Sequence, residues 1–314
     1  MQTEGHGPER QARDGQAGAA EAGINLLDTA DVYPLGGTLD TVGRTEEIVG
    51  RWLRSKGPAR RGDLVVATKA VGITGPNAWD RGASRKHLLD AIDRSLARLQ
   101  LDHVDLYQLH SDDRETPLDE SLEALDTIVR SGRARYVGVS NFFAWRLARA
   151  LGRSEVRNLV KFVCVQPRYS LLFREIEREL LPLAEEEGLG VIPYNPLAGG
   201  LLTGKYRPGS APEKDTRFTL GTAGSMYQGR YWNERSFDTV TRLQDLAREA
   251  GVPLATLAVA WVMAHPAITA PLLGASRPEQ LDATIAAAEY RLDPELRRRL
   301  DELTAEYRKG DAPR

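Results

Sequence analysis

From residue 23 to about residue 290, short β-branched runs alternate with longer stretches of helical periodicity, and this alternation narrows the fold more than any other property of the chain. The runs Ile24–Asp28, Leu64–Lys69, Val104–His110, Arg135–Ser140, Phe162–Gln166, Gly190–Tyr194 and Ala270–Leu273 predict strands. Between them Leu88, Ile92, Leu96 and Leu99 recur at helical spacing, as do Leu122, Leu125 and Val129, and later Val240, Leu243 and Leu246. Gly132 and Gly188 follow two such stretches as helix stops. Strand–helix alternation at this spacing implies a parallel sheet with right-handed crossovers. A doubly wound dinucleotide-binding sheet should carry Gly-x-Gly-x-x-Gly after its first strand. The pairs Gly36-Gly37 and Gly199-Gly200 have another spacing and context, so a closed α/β barrel of TIM type, (β/α)8, is the better reading.

With 41% hydrophobic residues in 314, the chain can bury one large core, and a single barrel domain over 23–314 accounts for the length. The net charge of -2, with acids and bases interleaved on helical stretches, gives no reason to expect nucleic acid or an anionic membrane surface as a partner. One cysteine, Cys164, cannot form an internal disulfide or a cysteine metal cage, and in Phe162-Val163-Cys164-Val165 it reads as a small buried filler. No window approaches the ~18 apolar residues that span a bilayer, and residues 1–7 lack the apolar core of a signal peptide. The expected setting is cytoplasmic. The sequence neither requires nor forbids a homo-oligomer.

Two irregular segments interrupt the alternation, 71–83 and 197–232. Tyr206, Phe218, Met226, Tyr227, Tyr231 and Trp232 make the second too apolar for a disordered linker, and it is expected to be a substrate or cofactor flap. The predicted strands, in turn, end on polar or small residues: Asp28, Lys69, His110, Ser140-Asn141, Gln166, Tyr194 and Gly274. In a β/α barrel such ends converge on the face that carries the active site. One of them alone is well explained as a cap or turn residue; seven together are not.

Lys69 closes a run that should be buried on both faces, so its ammonium needs a counter-charge, and Asp28 at the end of another strand is the natural one. Together with Tyr33 and His110 the pair suits carbonyl reduction. Hydride addition to a carbonyl leaves an alkoxide that needs a proton. A free tyrosine is a reluctant proton exchanger near neutrality, and an ammonium beside its hydroxyl favours the phenolate. His110 can hydrogen-bond the substrate oxygen. A metal site is not expected: only Asp28 and His110 could be ligands, and Lys69 would repel a cation.

These residues resemble the aldo-keto reductase family. The resemblance is carried by Gly23-Ile24-Asn25-Leu26-Leu27-Asp28-Thr29-Ala30-Asp31-Val32-Tyr33, Ala67-Thr68-Lys69, Asp105-Leu106-Tyr107-Gln108-Leu109-His110 and Val137-Gly138-Val139-Ser140-Asn141-Phe142. It continues through Gln166-Pro167-Arg168-Tyr169-Ser170-Leu171-Leu172, Tyr194–Lys205 and Gly274–Leu281 in family order. It implies a catalytic tetrad of Asp28, Tyr33, Lys69 and His110, with Tyr33 as proton donor. It also implies that Ser140, Asn141 and Gln166 hold a nicotinamide carboxamide while Tyr194 stacks on the ring. Leu197, Gly199 and Lys205 would line the pyrophosphate. Gly274, Ser276, Arg277 and Gln280 would meet the adenosine 2′-phosphate, so the implied cofactor is NADPH and the implied partner a small-molecule carbonyl substrate. Some members serve as redox-sensing accessory subunits, which gives a second expectation of nicotinamide binding with little turnover.

The chain departs from the family pattern in three places. Pro34–Asp40 lengthens the loop between Tyr33 and Glu46-Glu47, which bears on where the Tyr33 hydroxyl sits. The family's common Asn four residues after the Gln is Thr284. Residues 1–22 form a low-complexity segment in which Gln11–Ala22 has the composition of a weak helix. Nothing there reads as a strand, so the first barrel strand is expected to be missing or degenerate at the N-terminus.

Overall fold

A computed structural model describes residues 18–214, 216–275 and 277–310. The low-complexity segment therefore lies mostly outside the described residues; its described end is a helical turn at 18–21. The chain divides into two compact units, one running to Val165 with the stretch Ala275–Pro278, the other comprising Gln166–Gly274 and the residues from Glu279 onward.

In the first unit β1 (Leu26–Asp28), α1 (Arg44–Gly62), β2 (Val65–Ala70), α2 (Arg85–Leu99), β3 (Val104–Leu109), α3 (Leu118–Arg130), β4 (Ala134–Ser140), α4 (Ala144–Arg157) and β5 (Phe162–Gln166) follow one another. The strands lie in sequential order β1-β2-β3-β4-β5. β1, β2, β3 and β4 pair in parallel, with Asp28 opposite Ala67, Lys69 opposite Gln108 and Gln108 opposite Gly138. The helices are amphipathic in the expected sense. Leu88, Ile92, Leu96 and Leu99 are buried, and each such side chain contributes about 1.5–3 kcal/mol relative to exposure. On α3 the buried face is Leu122, Leu125 and Ile128 rather than Val129, which is only half-buried. Gly132, at φ 81°, and Gly188, at φ 65°, end helices in the left-handed region that favours glycine.

The second unit contains α5 (Leu180–Glu186), β6 (Gly190–Val191), α6 (Gly221–Tyr231), α7 (Glu234–Glu249), α8 (Leu254–Met263), α9 (Asp282–Ile285) and α10 (Pro294–Leu303). The predicted strand Gly190–Tyr194 is regular only at its start. Ala270–Leu273 is not a regular strand: Val191 bridges Ile268 in parallel, and the N–H groups of Thr269 and Leu272 reach the carbonyls of Val191 and Pro193 at 2.8 Å. Pro271 has no N–H to continue the ladder.

Segment 197–232 is not irregular. It contains a 3-10 segment Ala198–Thr203 and helix α6, and most of its aromatics form a small core. Phe218 packs edge-on against Trp232 at 4.7 Å and Tyr206 at 5.2 Å, and Tyr206, Phe218, Tyr227 and Tyr231 are all buried. Met226 is exposed.

A buried ion cluster ties the end of the chain to the segment after β5. The Arg174 guanidinium donates to Glu177 through Nε (2.7 Å) and Nη2 (3.0 Å), and through Nη1 to the Asp301 carbonyl (2.9 Å) and Thr304 Oγ1 (2.8 Å). It also pairs with the Asp301 carboxylate at 3.0 Å and lies 4.9 Å over the Trp261 ring. Tyr169 and Arg308 donate to Glu177, and Trp261 donates to Asp301. Despite its burial, these donors hold the Glu177 carboxyl below its ordinary range. No single described helix is long and apolar enough to cross a membrane.

Candidate active site

The four residues singled out as a tetrad all lie in the first unit, and the parallel register brings them together. Lys69, on β2, is fully buried, and its ammonium donates to the Asp28 carboxylate at the end of β1 and to the Thr29 carbonyl at 2.8 Å. Gln108, opposite Lys69 on β3, donates to the other Asp28 oxygen at 3.1 Å. Beyond β1 the backbone keeps running beside β2: the Thr29 N–H bonds the Ala67 carbonyl (2.9 Å) and the Asp31 N–H the Lys69 carbonyl (3.0 Å). The chain then turns, with Tyr33 N–H on the Ala30 carbonyl at 3.2 Å, and sets the half-buried Tyr33 ring 5.2 Å from Lys69 Nζ. His110 follows β3, its N–H held by the Ala70 carbonyl at 2.9 Å, and its ring meets Tyr33 nearly edge-on at 5.6 Å.

The lengthened loop after Tyr33 is internally tied. Thr38 and Thr41 bond each other's backbone around the 3-10 turn Leu39–Thr41, and the Thr45 N–H returns to the Tyr33 carbonyl at 3.4 Å. Glu46, fully buried in the first turn of α1, accepts from Thr68 on β2 (2.5 Å) and from Arg98 on α2 (2.7 Å). The helix after the loop is thereby anchored to the strand that carries Lys69.

The charges follow from this packing. Burial opposes the charge of Lys69, yet Asp28, Tyr33 and Asp31 together raise it above the ordinary lysine value. Burial, with the Lys69 ammonium adding to it, pushes His110 down to about 3, so its imidazole is neutral at ordinary pH and can serve as donor and acceptor but not as a cation. Cys164 behaves as the buried filler expected: burial and the nearby Asp28 push its thiol up to about 12.

Ser140 and Asn141 stand beside this cluster at the end of β4. Asn141 adopts φ 58° and donates to the His110 carbonyl (2.9 Å) and to Ser140 Oγ (3.0 Å). A hydroxyl and an amide side by side match the donors and acceptor of a carboxamide. Gln166, buried at the end of β5, belongs to the second unit, as does the half-buried Tyr194, whose N–H bonds the Pro167 carbonyl at 2.9 Å. Leu197 precedes a tight turn in which Ala198, Gly199 and Gly200 all have positive φ. Asn195 clamps it by accepting from the Gly199 N–H at 2.7 Å, and the exposed Lys205 follows. Gly274, Arg277 and Gln280 are exposed, and Ser276 lies outside the described residues.

Sequence reasoning assigned no role to Gln108, Asp31 or the Glu46–Arg98 pair. Gln108 left a signal, a polar side chain inside an otherwise apolar strand. Asp31 left none, since nothing in Ala30-Asp31-Val32 marks a buried carboxylate.

A buried lysine held by a strand-end carboxylate beside a tyrosine and a neutral histidine, on parallel strands separated by helices, defines a class of α/β barrel oxidoreductases. Residues 2–305 match the model of the aldo/keto reductase family, and the chain belongs to that family. The family fold is the (β/α)8 barrel, so the fold class read from the sequence stands. The chain is 41% identical over 289 residues to the uncharacterized oxidoreductase YrpG of Bacillus subtilis (strain 168), covering 91% of this chain and 84% of that protein. It is 36% identical over 269 residues to a probable voltage-gated potassium channel subunit beta of Arabidopsis thaliana, covering 85% and 78%. It is 34% identical over 273 residues to the L-glyceraldehyde 3-phosphate reductase of Escherichia coli O157:H7, covering 86% and 76%. The protein is an oxidoreductase of the carbonyl-reducing kind.

Proposed function

We propose that the protein reduces an aldehyde or ketone to the alcohol with NADPH, and that Tyr33 delivers the proton. The observation that carries this reading is the Lys69 ammonium, buried against Asp28 and the Thr29 carbonyl with the Tyr33 ring 5.2 Å away. A nicotinamide held at this site would supply the hydride for the carbonyl carbon. Tyr33 gives its hydroxyl proton to the oxygen as negative charge develops there, and the fixed ammonium stabilises the phenolate left behind. Asp28, itself held by Gln108, keeps that ammonium in place. Neutral His110 hydrogen-bonds the substrate oxygen and orients it. The hydroxyl of Ser140 and the amides of Asn141 and Gln166 suit a nicotinamide carboxamide, and Tyr194 suits its ring. Leu197, Gly199 and Lys205 would serve the pyrophosphate. Gly274, Ser276, Arg277 and Gln280 would serve the adenosine end, where an arginine guanidinium matches a phosphate dianion and favours NADPH over NADH.

The test is to mix the protein with NADPH or NADH and a panel of aldehydes and ketones and follow cofactor absorbance. Consumption with at least one carbonyl, faster with NADPH, is expected. The similarity to a potassium channel subunit beta favours a second reading, a nicotinamide-binding accessory protein with little turnover. Tight NADPH binding by fluorescence with no oxidation by any carbonyl would replace the first reading by the second.

A further inference from the structure

Asp31 sits directly behind the cluster. Its side chain is fully buried, and among the described residues no side chain hydrogen-bonds either carboxylate oxygen. Its N–H is bonded to the Lys69 carbonyl, and it precedes Tyr33 by two residues. The charged and titratable groups around it are Lys69 on β2, Glu46 on α1, Arg94 and Arg98 on α2, and Tyr107 on β3. The cations among them are engaged elsewhere: Lys69 by Asp28 and Thr29, Arg98 by Glu46 at 2.7 Å, and Arg94 by Asp80 at 4.0 Å. The Tyr107 hydroxyl donates to the Leu88 carbonyl at 3.3 Å. A carboxylate so enclosed loses its hydration with only the adjacent Val32 N–H in return, and the neighbouring Glu46 charge disfavours it further.

We propose that Asp31 is a positioning residue, a neutral carboxylic acid that leaves Lys69 with one counter-charge, Asp28, instead of two. This rests on the reading of Tyr33 as proton donor. With Asp31 neutral, the positive potential of Lys69 at the Tyr33 hydroxyl is offset by Asp28 alone, and the phenolate is well stabilised. With Asp31 ionised, a second negative charge beside Lys69 weakens that potential, and Tyr33 holds its proton more tightly. The Asp31 proton exchanges with solvent and is not passed to the substrate. In support, burial, with Glu46 adding to it against the pull of Arg98, the Val32 N–H and Arg94, pushes the Asp31 carboxyl up to about 8.

The experiment combines infrared titration with pH profiles on the full chain. Wild-type protein at pH 6 is expected to show the carbonyl stretch of a buried carboxylic acid, fading by pH 10, present in Tyr33→Phe and absent from Asp31→Asn. In Asp31→Asn the ultraviolet tyrosinate signal that Tyr33→Phe removes, and the alkaline rise of alcohol oxidation with NADP+, both move to lower pH by about one unit. No carboxylic-acid band in the wild type at pH 6 would overturn the proposal, and that result needs neither activity nor a stable variant. A band present with unchanged tyrosinate and rate profiles in Asp31→Asn would overturn it too. Normal turnover by Tyr33→Phe would instead defeat the proton-donor reading, while the infrared band still reports on Asp31.

Discussion

Lys69 in the first unit and Arg174 in the second are both cations removed from water, with side-chain exposures of 0% and 4%. Their surroundings differ in kind. The Arg174 fork is met on every nitrogen by Glu177, Asp301 or Thr304, its face is covered by Trp261, and Glu177 and Asp301 take further donors from Tyr169, Arg308 and Trp261. Among the described residues Lys69 donates to Asp28 and Thr29 and faces a tyrosine ring, with the buried acid Asp31, to which no side chain hydrogen-bonds, nearby. A saturated buried ion cluster joins segments of chain. An unsaturated one, in which the acid behind the cation is held neutral, leaves part of that cation's field to a neighbouring phenol. On this view the Arg174 cluster is structural and the Lys69 cluster is chemical.

Substitutions can break or sharpen that contrast. Lys69→Met should have the largest effect, lowering carbonyl reduction by about 10²–10⁴-fold. It should also cost about 3–5 kcal/mol in urea unfolding, because Asp28 loses its cation. Arg174→Met should cost a similar ~3–5 kcal/mol by taking the buried fork from between Glu177, Asp301 and Thr304, yet leave turnover per folded molecule within about twofold. Lost turnover without lost stability in Arg174→Met would break the contrast.

Asp31→Asn should act with a definite sign. The carboxyl is raised to about 8 in the folded chain, so the native state holds a proton that the unfolded chain releases near 4. That contribution to stability is fully present below pH 4 and is lost as pH rises through 8. Asp31→Asn should therefore gain on the wild type with rising pH, by roughly 3–8 °C in Tm above pH 8, read by thermal melts across pH 5–9. The smallest expected effect concerns His110. Because its imidazole is neutral down to about pH 3, kcat/KM for reduction should show no histidine inflection between pH 5 and 8. His110→Gln should lower the rate without changing the shape of that profile.

The first five strands were legible as apolar runs that end on polar residues, and the grouping of Asp28, Lys69 and His110 was legible for the same reason, since they close or follow β1, β2 and β3. Elements whose pattern is set by packing elsewhere were not. Helix α6 reads Gly-Thr-Ala-Gly-Ser-Met-Tyr at its start, with too few apolar residues to show a 3.6-residue period; Gln228, which donates to the Phe218 carbonyl at 2.6 Å, ties it to the preceding turn. Ala270–Leu273 has strand composition, but Pro271 interrupts its ladder. Gln108 and Asp31 matter through what parallel register places beside them, and register is a property of the sheet that no local window contains.

The central claim is that the cluster around Lys69 exists to make Tyr33 a proton donor, and the rate of NADPH oxidation by Tyr33→Phe, with a carbonyl the wild type accepts, tests it most directly. The account predicts a fall of about 10²–10⁴-fold with NADPH binding retained. Turnover within a few-fold of the wild type would contradict it.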